Sequence, residues 1–102
     1  MRERYHPKVD EMRIERLMQA FAEPVRLRIL ALLAEQGETA CSNAYATLGL
    51  SKANASHHFR ILREAGAIKA TMHGRELHTQ IRYEDLEKRF PGLLAAVLAG
   101  FS

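Results

Sequence analysis

The sequence predicts a mainly α-helical single domain carrying one β-hairpin, and two features of its patterning predict it. Apolar residues recur at helical spacing through most of the first 65 positions, and the spacing changes to strict alternation after Gly66 before turning helical again beyond Tyr83. A length of 102 residues leaves room for one core. Apolar residues make up 47% of the chain and charged residues 26%, proportions of a folded globular domain rather than a disordered one. No apolar run approaches the ~20 residues a bilayer span requires. Met1 to Tyr5 also lacks the apolar stretch of a signal peptide, so a cytoplasmic address with no membrane partner is expected.

Residues 1–9, rich in charge, are expected to form a flexible arm. A first helix runs from Asp10 to Ala22, where Met12, Ile14, Leu17, Met18 and Phe21 keep helical spacing. Pro24 suits the first turn of a second helix whose Val25, Leu27, Ile29, Leu30, Leu32 and Leu33 make it apolar around much of its circumference. It should be the central helix. Gly37 ends it, and Ser42 or Asn43 can cap a short third helix that stops at Gly49. Ser51 is a good N-cap for a fourth helix, Lys52 to Ala65, closed by Gly66. A wheel at 100° per residue puts Ala55, Phe59 and Leu62 on one side, flanked by His58 and Ala65, and sets Ala53, Ser56, His57 and Arg60 opposite. Beyond Gly66, Ile68, Ala70 and Met72 alternate with Lys69 and Thr71. His73-Gly-Arg-Glu76 then turns the chain, and Leu77, Thr79 and Ile81 alternate with His78, Gln80 and Arg82. That is a hairpin with Arg75 at its tip. The remainder, 83–102, reads as a C-terminal dimerisation helix in one or two pieces, Glu84 to Arg89 and Leu93 to Leu98, reset at Pro91-Gly92.

Charge is unevenly distributed. Residues 51–83 hold six Lys and Arg against two Glu, a local +4 in a chain whose total is +3, and four of the five histidines. Such a patch is the footprint of phosphate-backbone contact. A short helix, a tight turn at Gly49, a second helix with a polar outer face (residues 42–66) and a basic hairpin directly after it (67–82) are the parts of a winged helix-turn-helix. Double-stranded DNA is the expected partner. The alternative is a winged-helix protein-interaction module whose basic face meets an acidic protein. An enzyme is not expected: no nucleophile has a partnered base, and adjacent Ser56 and His57 point ~100° apart on a helix. Arg60 and Arg63 lie deeper in the fourth helix than its groove-entering turn and suit phosphate, while Asn54 lies to one side, near phosphate or a neighbouring base. Arg75 either solubilises the hairpin tip or enters a narrow minor groove. His58, on the edge of the packing face, is structural; His73 and His78 are exposed strand residues, and His6 belongs to the arm.

Three stretches carry a family resemblance: Phe21-Ala-Glu-Pro-Val-Arg-Leu-Arg-Ile-Leu30, Leu50-Ser-Lys-Ala-Asn-Ala-Ser-His-His-Phe-Arg-Ile-Leu-Arg-Glu-Ala-Gly-Ala-Ile68, and Gly74-Arg75. The chain resembles the ArsR/SmtB family of bacterial repressors over roughly residues 15 to 85. The resemblance implies a homodimer that binds an imperfect palindrome and leaves it when an inducer binds. It implies that Lys52, Ala53, Ser56 and His57 touch base edges, with Ala53 offering only an apolar contact where the family often carries a polar residue. Leu17, Met18 and Phe21, with Leu93, Leu94, Val97, Leu98 and Phe101, exceed what one small core covers, and together with the resemblance they imply a dimer seam through the first and last helices. The alternative is that these helices pack on each other within one subunit. Metal-responsive members carry Cys-x-Cys at positions that correspond here to Ala40 and Ser42, and a second family site needs histidine on the last helix, where Tyr83 to Ser102 has none. No metal site and no cofactor is therefore expected, and the inducer is unidentified. Cys41, the single thiol, permits no intrachain disulfide. Near a helix N-terminus its pKa should be lowered, which makes it a candidate redox or electrophile sensor, or else a small buried residue beside the turn.

Overall fold

The computed structural model describes residues 4–101. Six helices surround a small sheet: α1 (Ile14–Phe21), α2 (Pro24–Gln36), β1 (Thr39–Ala40), α3 (Cys41–Leu48), α4 (Lys52–Ala65), β2 (Ile68–His73), β3 (Glu76–Ile81), α5 (Tyr83–Arg89) and α6 (Leu93–Phe101). Helix α2 is central as expected. Its Ile29, Leu30 and Leu33 are fully buried in one core shared with Leu17 of α1, Leu62 of α4, Ile68 of β2 and Leu86 of α5. Pro24 occupies its first turn, the Glu23 carboxylate accepts from the Val25 N–H at 3.3 Å, and Gly37 terminates it.

The first expected helix is divided. A single 3-10 turn, Val9–Glu11, is held by the Glu11 carboxylate accepting from the Lys8 N–H at 2.8 Å, and Met12 then leaves helical geometry before α1 begins. The break has a packing cause. Met12 is 1% exposed, and the non-helical backbone there lets its side chain pack directly beneath Gly66. Residues 4–9 are not a free arm either. The Tyr5 carbonyl accepts from Arg63 Nε at 3.3 Å, the Pro7 carbonyl from Arg82 Nη1 at 2.8 Å, and His6 Nε2 from the Ala70 N–H at 3.0 Å. Residues 1–3 of the expected arm lie outside the described residues.

A third strand joins the expected hairpin. The sheet order is β1-β3-β2, all antiparallel, with Thr39 opposite Thr79 and Ala40 opposite His78. Because β1 runs directly into α3, the helix starts at Cys41 with Ala40 at the cap position and no side-chain cap, rather than at Ser42 or Asn43. The hairpin register pairs Ile68 with Ile81 and His73 with Glu76, leaving Gly74-Arg75 as a two-residue turn. The C-terminal segment is two helices, not one, separated where Gly92 takes φ 82 after Pro91. Among the described residues no helix is long and apolar enough to cross a membrane.

Candidate nucleic-acid interface

Helices α3 and α4 meet through the Leu48-Gly-Leu-Ser51 turn. Gly49 adopts the left-handed conformation at φ 68, which lets the Leu50 N–H reach back to the Tyr45 carbonyl at 2.9 Å and finish α3. Ser51 then caps α4, its Oγ accepting from the Asn54 N–H at 3.2 Å. Arg28 of α2 donates to the Leu48 carbonyl at 3.3 Å and fixes the turn to the central helix. The consequence is a rigid, outward first turn of α4. Lys52, Ala53, Asn54, Ser56, His57 and Arg60 are all exposed, while Ala55, His58, Phe59 and Leu62 pack inward, as the helical wheel divides them. Arg75 is exposed at the hairpin tip.

Between α3, α4 and the inner face of the sheet lies an open cleft of about 420 Å³. It gathers Ser56, His57 and Arg60 with Arg63 and with Arg4, a residue that sequence patterning gave no reason to single out. Burial first, then repulsion from Arg4 and Arg60, holds the Arg63 pKa below its ordinary value. Arg63 also donates to the Tyr5 carbonyl, so it is partly committed to holding the N-terminal segment. At the floor, Tyr45 stacks edge-on against Phe59 with centroids 5.5 Å apart, its hydroxyl beside Ser56 and Cys41, and burial raises its pKa.

Cys41 departs from the sequence expectation. It is buried, and burial raises its thiol pKa, an effect larger than the opposing pull of Arg4, Tyr45 and Arg63. A thiol so placed is mostly protonated and shielded, the reverse of a sensor thiolate. His58 is structural as expected: its Nδ1 lies 3.2 Å from Arg26 Nη1 and 3.5 Å from Glu23 Oε2. Burial lowers its pKa, so the neutral ring accepting from Arg26 is the favoured form. Arg26 also donates to the Ala20 carbonyl at 2.6 Å, closing the end of α1. His73 and His78 are not isolated strand residues. Their rings lie 4.5 Å apart, and both face Glu38. Of the residues expected at a dimer seam, Leu17, Phe21 and Leu94 are buried within the protomer's own core. Met18 is 46% exposed, and Leu93, Val97, Leu98 and Phe101 are half-buried.

The geometry has counterparts among known proteins. A helix-turn-helix domain model matches residues 21–70. The HTH-type transcriptional regulator CmtR of Mycobacterium tuberculosis is 35% identical over 89 residues, 87% of this chain and 75% of that protein. The chain belongs to the ArsR family. The solution structure of a homodimeric winged helix-turn-helix DNA-binding domain from Mycobacterium bovis, described as a possible ArsR-family regulator, superposes on the ArsR-family chain with a TM-score of 0.73 at 31% identity. That match covers 85% of this chain and 76% of the other. A crystal structure of a possible transcriptional regulator for arsenical resistance matches with a TM-score of 0.65 at 29% identity, covering 87% and 85%. CmtR is a transcriptional regulator rather than an enzyme, and the ArsR-family chain shares the winged helix-turn-helix fold of the Mycobacterium bovis domain.

Proposed function

We propose that this chain is a cytoplasmic homodimeric repressor that reads an imperfect DNA palindrome through the first turn of α4 and the tip of the β2–β3 wing. One observation carries the reading. Among the described residues, the side chains of Lys52, Arg60 and Arg75 have no carboxylate partner, so three exposed cations on α4 and the wing remain available to phosphate oxygens. Lys52, Ala53, Ser56 and His57 would face base edges, Asn54 and Arg60 the backbone, and Arg75 a minor groove flanking the half-site. The exposed Met18, with the half-buried Leu93, Val97 and Leu98, supplies apolar surface for a two-fold seam, which would set two recognition helices about one helical turn of DNA (~34 Å) apart. The homodimeric Mycobacterium bovis domain supports that assembly. Release would come from an inducer acting away from the two family metal positions, and the buried Cys41 argues against a thiol trigger.

The test begins by recovering genomic fragments bound by the purified protein and reading the shared site. A palindromic fragment should then outcompete random DNA by at least ~10³, and His57→Ala should narrow that ratio. Arg75→Ala should weaken binding to every sequence and flatten the salt dependence by about one unit of slope. Equal affinity for both fragments at physiological salt would refute specific repression and favour the protein-contact reading of the same basic face.

A further inference from the structure

We propose that Glu38, His73 and His78 form a binding site for a divalent transition ion of the zinc class on the outer face of the wing. The three residues each offer one ligand atom, and these atoms lie within 4.8 Å of one another. Register explains how they meet. His73 pairs with Glu76, and His78 pairs with both Thr71 and Ala40, so alternate residues of β2 and β3 share one face. Glu38, two residues before Ala40, enters that face from the end of β1.

The distances suit an ion. Glu38 Oε2 lies 3.1 Å from His73 Nε2 and 3.3 Å from His78 Nδ1. Ligands held ~2.0–2.1 Å from a tetrahedral zinc stand about 3.3 Å apart, a spacing the two distances from Glu38 already match, and a turn of the exposed His73 side chain can set its nitrogen at that spacing from His78. Two imidazoles and one carboxylate select the nitrogen-preferring ions at the cobalt-to-zinc end of the series over calcium or magnesium, and leave a fourth position open to water.

One hydrogen bond and one longer charged approach flank the ligands. Gln80 Nε2 donates to Glu38 Oε1 at 3.2 Å, occupying the oxygen that does not face the histidines. Glu76 Oε1 lies 3.8 Å from His78 Nε2, on the ring nitrogen away from the ion, beyond hydrogen-bond reach but near enough to close on that nitrogen once the ring ligates. All of these groups reach solvent in part, so an ion can enter without opening the fold. Once bound, it would tie the hairpin near its tip to the α2–β1 loop and add positive charge to the wing. The site takes no ligand from Ala40 or Ser42, where the family carries its cysteines, or from the last helix, although Ala40 lies opposite His78 in the sheet.

The experiment is titration of the reduced full chain with Co²⁺ and Zn²⁺ in the absence of DNA, so its outcome is independent of the repressor reading. One equivalent should bind. Amide shifts in a nitrogen-15 spectrum should concentrate at residues 38, 73 and 78, and no cobalt–thiolate charge-transfer band should appear. His73→Ala, His78→Ala and Glu38→Gln should each weaken binding at least ~10-fold, with Gln80→Ala intermediate between these and the unaltered chain. No binding by the unaltered chain would overturn the site. So would retention of full affinity in the His73→Ala/His78→Ala double variant, or a thiolate band assigning the ion to Cys41. Should a variant fail to fold, the amide shifts of the unaltered chain decide: perturbation centred elsewhere refutes the site.

Discussion

Gly66 joins α4 to the wing, and replacing it with alanine should be among the most damaging single-methyl changes in the chain. Its φ is +99, and an added Cβ would sit 2.6 Å from Met12 Cε, 2.9 Å from Met12 Cγ and 3.3 Å from Pro7 Cγ. The left-handed backbone alone costs an L-residue about 1–2 kcal/mol. The steric part is not relieved cheaply: Met12 Cε could swing, but Met12 is 1% exposed, and Cγ is too near the backbone to move alone. Overpacking of a filled core costs about 1–3 kcal/mol, so Gly66→Ala should lose about 2–5 kcal/mol in all. For a domain of this length that lowers Tm by at least ~8 °C. The assay is urea unfolding of Gly66→Ala, Met12→Ala and the double variant. Met12→Ala removes the two nearest obstructing atoms at its own cost of about 2–5 kcal/mol, and in that background Gly66→Ala should cost the backbone share and the small remaining push on Pro7 Cγ. A loss below about 0.5 kcal/mol in the single variant, or an equal loss in both backgrounds, would refute the packing argument.

Three further outcomes are expected. Burial, joined by repulsion from Arg63 and Arg82, lowers the His6 pKa from its ordinary 6.5, which favours the neutral ring that accepts the Ala70 N–H, and burial lowers that of His58 likewise. Their stabilising contributions are therefore present above pH 6.5 and lost as pH falls below it towards the folded-state values. Urea midpoints should fall between pH 7.5 and 5.5, and His6→Gln should flatten that fall; an unchanged slope would remove His6 from the account. Cys41 should react with a thiol reagent at pH 8 at least ~10-fold more slowly in the folded chain than in urea, because its thiolate is disfavoured and covered. Equal rates would restore it as a sensor candidate. Met18→Glu, at an exposed position of α1, should leave the protomer folded and shift sedimentation from dimer towards monomer, whereas Leu17→Ala should cost the fold about 2–5 kcal/mol. An unaltered dimer in Met18→Glu would move the seam away from α1.

Much of α4 was legible because its signals are local. Ser51 and Gly66 bracket it by cap chemistry, and the wheel separates Ala55, Phe59 and Leu62 from Ser56, His57 and Arg60 without any tertiary information. The hairpin was legible for the same reason: period-two alternation stops at a Gly-containing turn. What escaped depends on contacts with no period. Residues 4–9 dock largely through the carbonyls of Tyr5 and Pro7, groups that every residue carries, so composition reads only their charge. Met12 satisfies the spacing of a helix whether or not it is in one. A strand of two residues, Thr39–Ala40, is too short to show alternation, yet it is what carries Glu38 to His73 and His78. The expected lowering of the Cys41 pKa failed because helix position was visible in the sequence and burial was not.

The sheet order makes β2 an edge strand, and an edge presents unpaired N–H groups to any passing chain. Here the Ala70 N–H is stoppered by His6 Nε2, a side chain rather than another strand. The protection is conditional, since a protonated imidazole has no lone pair to offer. Mild acid removes that one bond, and displacement of the N-terminal segment, which the Tyr5 and Pro7 carbonyls also hold, would then open the edge to β-addition. An alteration that pulls residues 4–7 off the sheet should therefore raise self-association near pH 5.5, and one that leaves His6 docked should not.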